Sequence, residues 1–87
     1  MTGPRKEDLA DNEVAVRVTG DRLDDQGRVQ FVAFWLDSYL PPAGVRGQVF
    51  HTRLAEFVGR ERHAGRRVTT LDEHTRRLLD SLNLIGD

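Results

Sequence analysis

Apolar and polar residues alternate near the start of the chain. Val14, Val16 and Val18 alternate with polar or small residues along Glu13–Thr19. This period of two is typical of a strand with one buried face. The next segment, Gly20–Gly27, reads GDRLDDQG, and its glycines and aspartates favour a turn. The pattern therefore predicts a strand followed by a turn.

The most apolar stretch is Arg28–Leu40, which holds the only Trp and the only Tyr. Because aromatic side chains bury the most area per residue, we expect the core to form here. As a strand, it would place Val29, Phe31, Ala33 and Trp35 on one face, paired with Val14–Val18, and Val32, Phe34 and Leu36 on the other. As a helix, almost its whole circumference would be apolar, and periodicity alone does not separate the two structures.

Composition predicts different structures for the two parts of this stretch. The β-branched and aromatic residues favour a strand over Arg28–Phe34. Trp35–Leu40 is instead predicted to form a short helical turn that stops before the two prolines at 41 and 42. The prolines and glycines of Pro41–Gly47 predict an irregular connector.

Two helices are predicted in the second half of the chain. The first is Gln48–Arg62, in which the spacing of Phe50, Leu54, Phe57 and Val58 forms one apolar stripe. The second is Leu71–Ile85, preceded by a capping box from Thr70 to Glu73 and followed by Gly86, which suits the residue after a helix. A basic turn, His63–Val68, joins them.

These elements predict a small α+β domain, with an N-terminal β-hairpin followed by two or three helices packed on one face. The length fits one domain. Residues 13–87 are assigned to it, and residues 1–12 are predicted to be a disordered polar lead.

Charge changes this picture slightly. The net charge is −1, but residues 1–44 carry five Lys and Arg against eight Asp and Glu, whereas residues 45–87 carry eight Arg against six Asp and Glu. A polyanion would therefore bind the second half. The sequence has no Cys, no membrane-length apolar run and no secretory h-region, so we expect a cytoplasmic protein without a membrane partner.

Candidate chemistry is sparse. The three histidines do not form an H-x-x-x-H pair, and without Cys no metal or other cofactor is expected. Asp24 and Asp25 are adjacent acids in a turn, where a structural role is expected, and no nucleophile or phosphate-loop motif is present. We therefore expect no catalytic residue and no enzyme.

One short segment suggests a minor alternative. Asp24–Gln30 followed by an aromatic run resembles the D-x-x-G-H-V-N segment of hotdog-fold acyl-CoA thioesterases, although Arg28 and Gln30 replace the family's His and Asn. The resemblance implies an acyl-thioester enzyme fragment.

The basic second half is similar to a winged-helix or helix-turn-helix arrangement. That resemblance implies a DNA-binding regulatory domain whose second helix enters the major groove while flanking residues hold phosphates. Arg76 and Arg77, however, have acids four residues away with which they can pair on the helix surface. The candidate nucleic-acid contacts are Arg60, Arg62, Arg66, Arg67, Thr70, His74 and Arg77.

An alternative function uses the aromatic segment 28–40. In this interpretation the protein is a protein-interaction or adaptor module, which includes the possibility of a homodimer. Its interface residues would be Phe31, Phe34, Trp35 and Tyr39. An apolar, aromatic site would distinguish this function from the basic site of a nucleic-acid binder.

Overall fold

The protein is an α+β domain with a four-stranded sheet and two helices. The computed structural model describes residues 9–10, 12–37 and 44–84. The elements are β1 (Glu13–Val18), β2 (Arg28–Asp37), β3 (Gly44–Arg53), α1 (Leu54–His63), β4 (Arg67–Thr70) and α2 (Glu73–Ser81). The sheet order is β3-β2-β1-β4, with β4 parallel to β1 and the other pairs antiparallel. This confirms the predicted fold class and N-terminal hairpin.

The hairpin follows the predicted alternation. Val14 lies opposite Trp35 and Val16 opposite Ala33, while Val18 lies opposite Phe31. These residues point to the face of the sheet on which both helices pack, here called the core face. The predicted helical turn from residue 35 is wrong, because β2 continues to Asp37. Trp35 pairs with both β1 and β3, and Leu36 and Asp37 pair with β3. Residues 38–40 lie outside the described part.

The largest correction concerns β3. The described part of the predicted connector, residues 44–47, and the first six residues of the predicted helix form a single strand, Gly44–Arg53, paired along its whole length with β2. Residues 41–43 of the connector lie outside the described part. Phe50 faces the core from this strand, and Leu54 is the first residue of α1. The apolar spacing resembled one helix because the strand runs directly into the helix with both residues on the inner side.

One glycine of β3 is required by packing. At Gly47 a Cβ atom would lie 2.9 Å from Cε1 of Phe34, closer than such atoms approach. The Phe34 ring therefore lies across the strand at this point. A strand glycine commonly marks such close approach, whereas in the sequence it favoured a connector.

The segment between the helices is also a strand. Residues 67–70 form β4, where Val68 pairs with Val14 and Thr70 with Val16. The predicted basic turn, His63–Val68, is therefore divided between the end of α1 and the start of β4. Because a strand of the sheet separates the two helices, the predicted helix-turn-helix element is not formed.

The second helix is shorter than predicted. It begins at Glu73, after Asp72, whose Oδ1 accepts a hydrogen bond from the Thr75 N–H at 3.0 Å. Asp72 is thus the capping residue in place of Thr70, as both residue types can cap a helix. The helix ends at Ser81. Ile85 and Gly86 lie outside the described residues.

Both helices pack against the core face. The buried cluster joins β1 and β2 to Leu54, Phe57 and Val58 of α1 and to Leu79 of α2. Leu9, from the predicted N-terminal lead, is also buried, and most other residues of that lead are outside the described part. Among the described residues, no helix is long and apolar enough to cross a membrane.

The contact between α2 and β1 is polar at its centre. Thr75 is fully buried, and its hydroxyl accepts a hydrogen bond from the Val18 N–H at 2.8 Å. We expect Thr75→Val to lower the free energy of unfolding by about 1–3 kcal/mol, because it leaves a buried amide without this acceptor. Urea denaturation measures the loss. Thr75→Ser keeps the hydroxyl and should cost less, so equal losses in both variants would assign the effect to packing alone.

Candidate functional site

The predicted basic contacts do not form one continuous surface. Arg60 and Arg66 line a cleft beside Trp35, whereas Arg62 lines a separate cleft bounded by β4, α2 and Leu84. The Arg62 guanidinium donates a hydrogen bond to the carbonyl oxygen of Leu84. The sequence segment 60–67 is therefore divided between two sides of α1.

The second cleft has a volume of about 340 Å³. It includes Thr70 and Arg76 beside apolar Val68 and Leu79. Arg76 is bonded to Glu73, so both of its arginines already have protein acceptors. Both guanidinium groups of this cleft are therefore already hydrogen-bonded within the protein.

The α2 candidates are engaged within the protein. Arg77 Nε lies 3.3 Å from a Glu73 oxygen, and His74 Nε2 lies 2.9 Å from the Gly20 carbonyl oxygen. The hydrogen bond from Arg76 holds the pKa of Glu73 below its usual value. The exposed side of α2 is thus an ion-paired surface. Arg77 pairs with the acid four residues before it, as predicted, whereas Arg76 pairs with Glu73, three residues before it, and not with an acid four residues away.

Arg67 lies apart from these residues, at the first position of β4. Its Nη2 is 4.0 Å from a Glu13 oxygen, and its side chain is largely exposed. On the sheet it is aligned with Glu13 at the start of β1. It therefore does not join the cleft that contains Arg60 and Arg66.

That cleft, the Trp35 cleft, is formed where β2, β3 and α1 meet. Its volume is about 250 Å³. Residues on the core face of the two strands supply one wall, and the helix and the segment after it supply the other. Its lining residues are Trp35, Arg46, Gln48, Phe50, Phe57, Arg60, Glu61 and Arg66.

Glu61 connects the two walls. Its Oε1 accepts a hydrogen bond from Trp35 Nε1 at 2.9 Å and another from Arg66 Nη1 at 3.3 Å. Only 12% of the Glu61 side chain is exposed. A carboxylate this enclosed is stabilised by the two donors, and it fixes the orientation of both the indole and the Arg66 guanidinium.

Aromatic rings make up the base of the cleft. The Trp35 ring packs edge-on against Phe50 and Phe57, with centroids 6.1 and 6.3 Å away. The Arg46 guanidinium carbon lies 4.8 Å from the centroid of the Trp35 ring, a cation–π distance. A flat cationic group is thus held over a flat apolar one.

Among the described residues that line the Trp35 cleft, positive charges outnumber negative ones. Arg46, Arg60 and Arg66 supply three cations against the single carboxylate of Glu61, a balance of +2. Arg60 also lies 4.0 Å from Glu56, but 70% of its side chain is exposed, and an exposed pair of this kind is weak. The arrangement can hold an anion at its rim and a planar group at its base.

Sequence reasoning missed Arg46, Gln48 and Glu61 as site residues. The first two were assigned to a connector and to a helix, and strand alternation of Arg46, Gln48 and Phe50 was the signal that would have grouped them. Glu61 carried no signal of its own in the sequence. Its role depends on Trp35, 26 positions away in the chain.

The predicted interface residues also separate. Phe31 is fully buried and stacks with Phe50 at a centroid distance of 5.4 Å, so it offers no surface to a partner. Trp35 belongs to the cleft. Phe34 is half-buried on the opposite face of the sheet, and Tyr39 lies outside the described residues.

Asp24 has a structural position in the turn before β2. Its Oδ1 accepts hydrogen bonds from the N–H groups of Gln26 and Arg28, each at 2.8 Å, and Gly27 adopts φ 79°. The Arg28 amide is the main cause that holds the pKa of Asp24 below its usual value. Both oxygens are occupied, since Oδ2 lies 3.2 Å from Arg28 Nε. This environment favours an ionised turn residue over a proton donor or acceptor.

The described residues contain no group of three or more His, Cys, Asp or Glu side chains arranged to hold a metal ion. Comparison with protein-family models, with curated proteins and with solved structures gives no match to this chain.

Proposed function

We propose that this domain binds nucleic acid through the Trp35 cleft, in a regulatory rather than catalytic role. The observation that supports this most directly is the convergence of Arg46, Arg60 and Arg66 around one half-buried indole. Arginines supply phosphate contacts, which dominate affinity for nucleic acids.

A single strand suits this site better than a duplex. The strand β4 separates α1 from α2, so the two helices do not form the helix-turn-helix element that inserts into a major groove. A concave site with arginines at the rim and aromatic rings at the base is the arrangement used for flexible strands, whose bases stack on aromatic or guanidinium planes. The Arg46 guanidinium over Trp35 offers such a plane.

The test compares two double variants that remove the same charge. Arg60→Ala/Arg66→Ala alters the cleft, whereas Arg67→Ala/Arg77→Ala alters arginines that do not line it. Fluorescence anisotropy with a short mixed-sequence single strand, at several salt concentrations, measures affinity. We expect the cleft variant to reduce the salt slope by about 1.4, because each phosphate of a single strand that is no longer neutralised lowers the slope by roughly 0.7.

The control variant should retain nearly the wild-type slope. Equal losses in both variants would contradict a localised site and indicate non-specific attraction. Absence of salt-dependent binding to single strands by the wild-type protein would overturn the proposal. Tighter binding to the matching duplex would contradict the preference for a single strand.

A further inference from the structure

The strand β3 forms a long edge of the described sheet. It pairs with β2 on one side, over ten residues and without a break in register. Its only charged residues are Arg46 and Arg53, so residues 47–52, GQVFHT, present an uncharged edge. An extended regular edge of this kind is a template for pairing with another strand.

The other edge is different. The strand β4 has four residues and begins with Arg67. Short, charged edges discourage pairing between sheets. Of the two edges of the described sheet, β3 is therefore the one at which pairing with another strand is expected.

Val49 lies near the middle of β3 and is the exposed large hydrophobic residue among those described, at 63% exposure. It belongs to the face opposite the helices, here called the open face, where it is aligned with Val32 of β2. Phe34, across Gly47, is on the same face. An apolar side chain at this position is stabilised when a neighbouring strand places another apolar side chain opposite it.

We propose that β3 pairs antiparallel with β3 of a second copy of this chain, with Val49 opposite the Val49 of that copy. The two sheets then form one continuous eight-stranded sheet about a two-fold axis. Residues opposite each other in an antiparallel pair lie on the same face of the sheet. Because Val49 is opposite Val49 of the other copy, both side chains lie on the open face of the joined sheet.

The charges of β3 are compatible with this register. Arg46 lies opposite Thr52 of the other copy, and Arg53 lies opposite Val45. Gln48 meets Phe50 on the core face. No like charges are directly opposed, which would otherwise destabilise the pair. The strand can therefore pair with a second copy of itself without charge repulsion, and that copy also supplies an apolar side chain opposite Val49.

The dimer has a consequence for the Trp35 cleft. Arg46, Gln48 and Phe50 of each cleft lie on β3, and the two-fold axis keeps both core faces on the same side. Both clefts therefore adjoin the line of pairing. The dimer does not depend on nucleic-acid binding, since Arg60 and Arg66 are not on the edge strand.

Charge at position 49 tests the register. In sedimentation velocity over a wide concentration range, wild-type protein should dimerise, and Val49→Lys should raise the dimer dissociation constant at least about tenfold by opposing two cations on the axis. Val49→Glu should do the same. An equimolar mixture of the two variants should recover a dimer, because opposite charges then meet.

Gln30→Lys is the matched control. Gln30 is exposed on the same face, but on the central strand β2, so its variant should dimerise as wild type does. Circular dichroism confirms that each variant is folded. A monomeric wild type at all concentrations, a dimer that persists in Val49→Lys, or a mixture that does not recover association would overturn the proposal.

Discussion

Replacing Phe31 by alanine should lower the free energy of unfolding by about 3–5 kcal/mol. Phe31 is fully buried at the centre of the sheet, with the rings of Phe50 and Phe57 at centroid distances of 5.4 and 4.9 Å. Alanine removes the transfer energy of the ring and leaves a cavity between three elements. For a domain of this size, such a loss is a large fraction of total stability.

Thermal unfolding measures the effect, and a fall in Tm of at least about 12 °C is expected. Phe34→Ala is the matched control, because Phe34 is on the same strand β2 but half-buried on the open face. Its loss should be smaller. A Phe34 variant that is less stable than the Phe31 variant would contradict the assignment of the core to the helix-covered face.

Replacing Trp35 by alanine should lower the free energy of unfolding by about 3 kcal/mol, which is at the lower end of the range for buried aromatic residues. The indole is half-buried, packs against Phe50 and Phe57, and donates its N–H to Glu61 at 2.9 Å. The variant loses ring packing and one of the donors that stabilise an enclosed carboxylate. Affinity for single-stranded nucleic acid should fall as well, because Arg46 loses the ring beneath it.

Trp35→Phe separates the two effects. It retains an aromatic ring and removes the N–H donor, so we expect most of the stability to remain. Chemical denaturation of both variants, together with anisotropy under conditions where each is folded, gives the comparison. If Trp35→Ala unfolds at the same denaturant concentration as the wild type, the contacts of the indole with Phe50 and Phe57 do not stabilise the fold.

The sequence by itself determined the elements whose local pattern agrees with their tertiary position. The valines of β1 alternate over a single strand. For β2 the same period gave the core-facing set Val29 to Trp35 only in the strand alternative, and composition favoured that alternative over Arg28–Phe34 alone. Asp24 and Gly27 indicated the turn through their own backbone preferences. The presence of α2 followed from the capping signal ahead of it, although the helix begins at Glu73.

The tertiary structure determined the local conformation wherever one sequence pattern was compatible with two structures. Gly47 signals a connector in the sequence, but in the sheet it accommodates the Phe34 ring. The apolar spacing through Phe50 and Leu54 fits one helix, yet β2 offers residues 44–53 a strand partner over their whole length. The hydrogen bonds between β2 and β3 therefore outweighed the local conformational preference of these residues. Strand propensity in particular depends on the tertiary context.

The Trp35 cleft depends on the same non-local pairing. Arg60 and Arg66 were identified from charge, and Trp35 from its aromatic neighbours, but nothing in their spacing joins them. They meet because β3 leads directly into α1, which places the helix over the end of β2 where Glu61 reaches the indole. A contact made by residues far apart in the chain is set by how the strands pair, and that pairing is a property of the folded sheet.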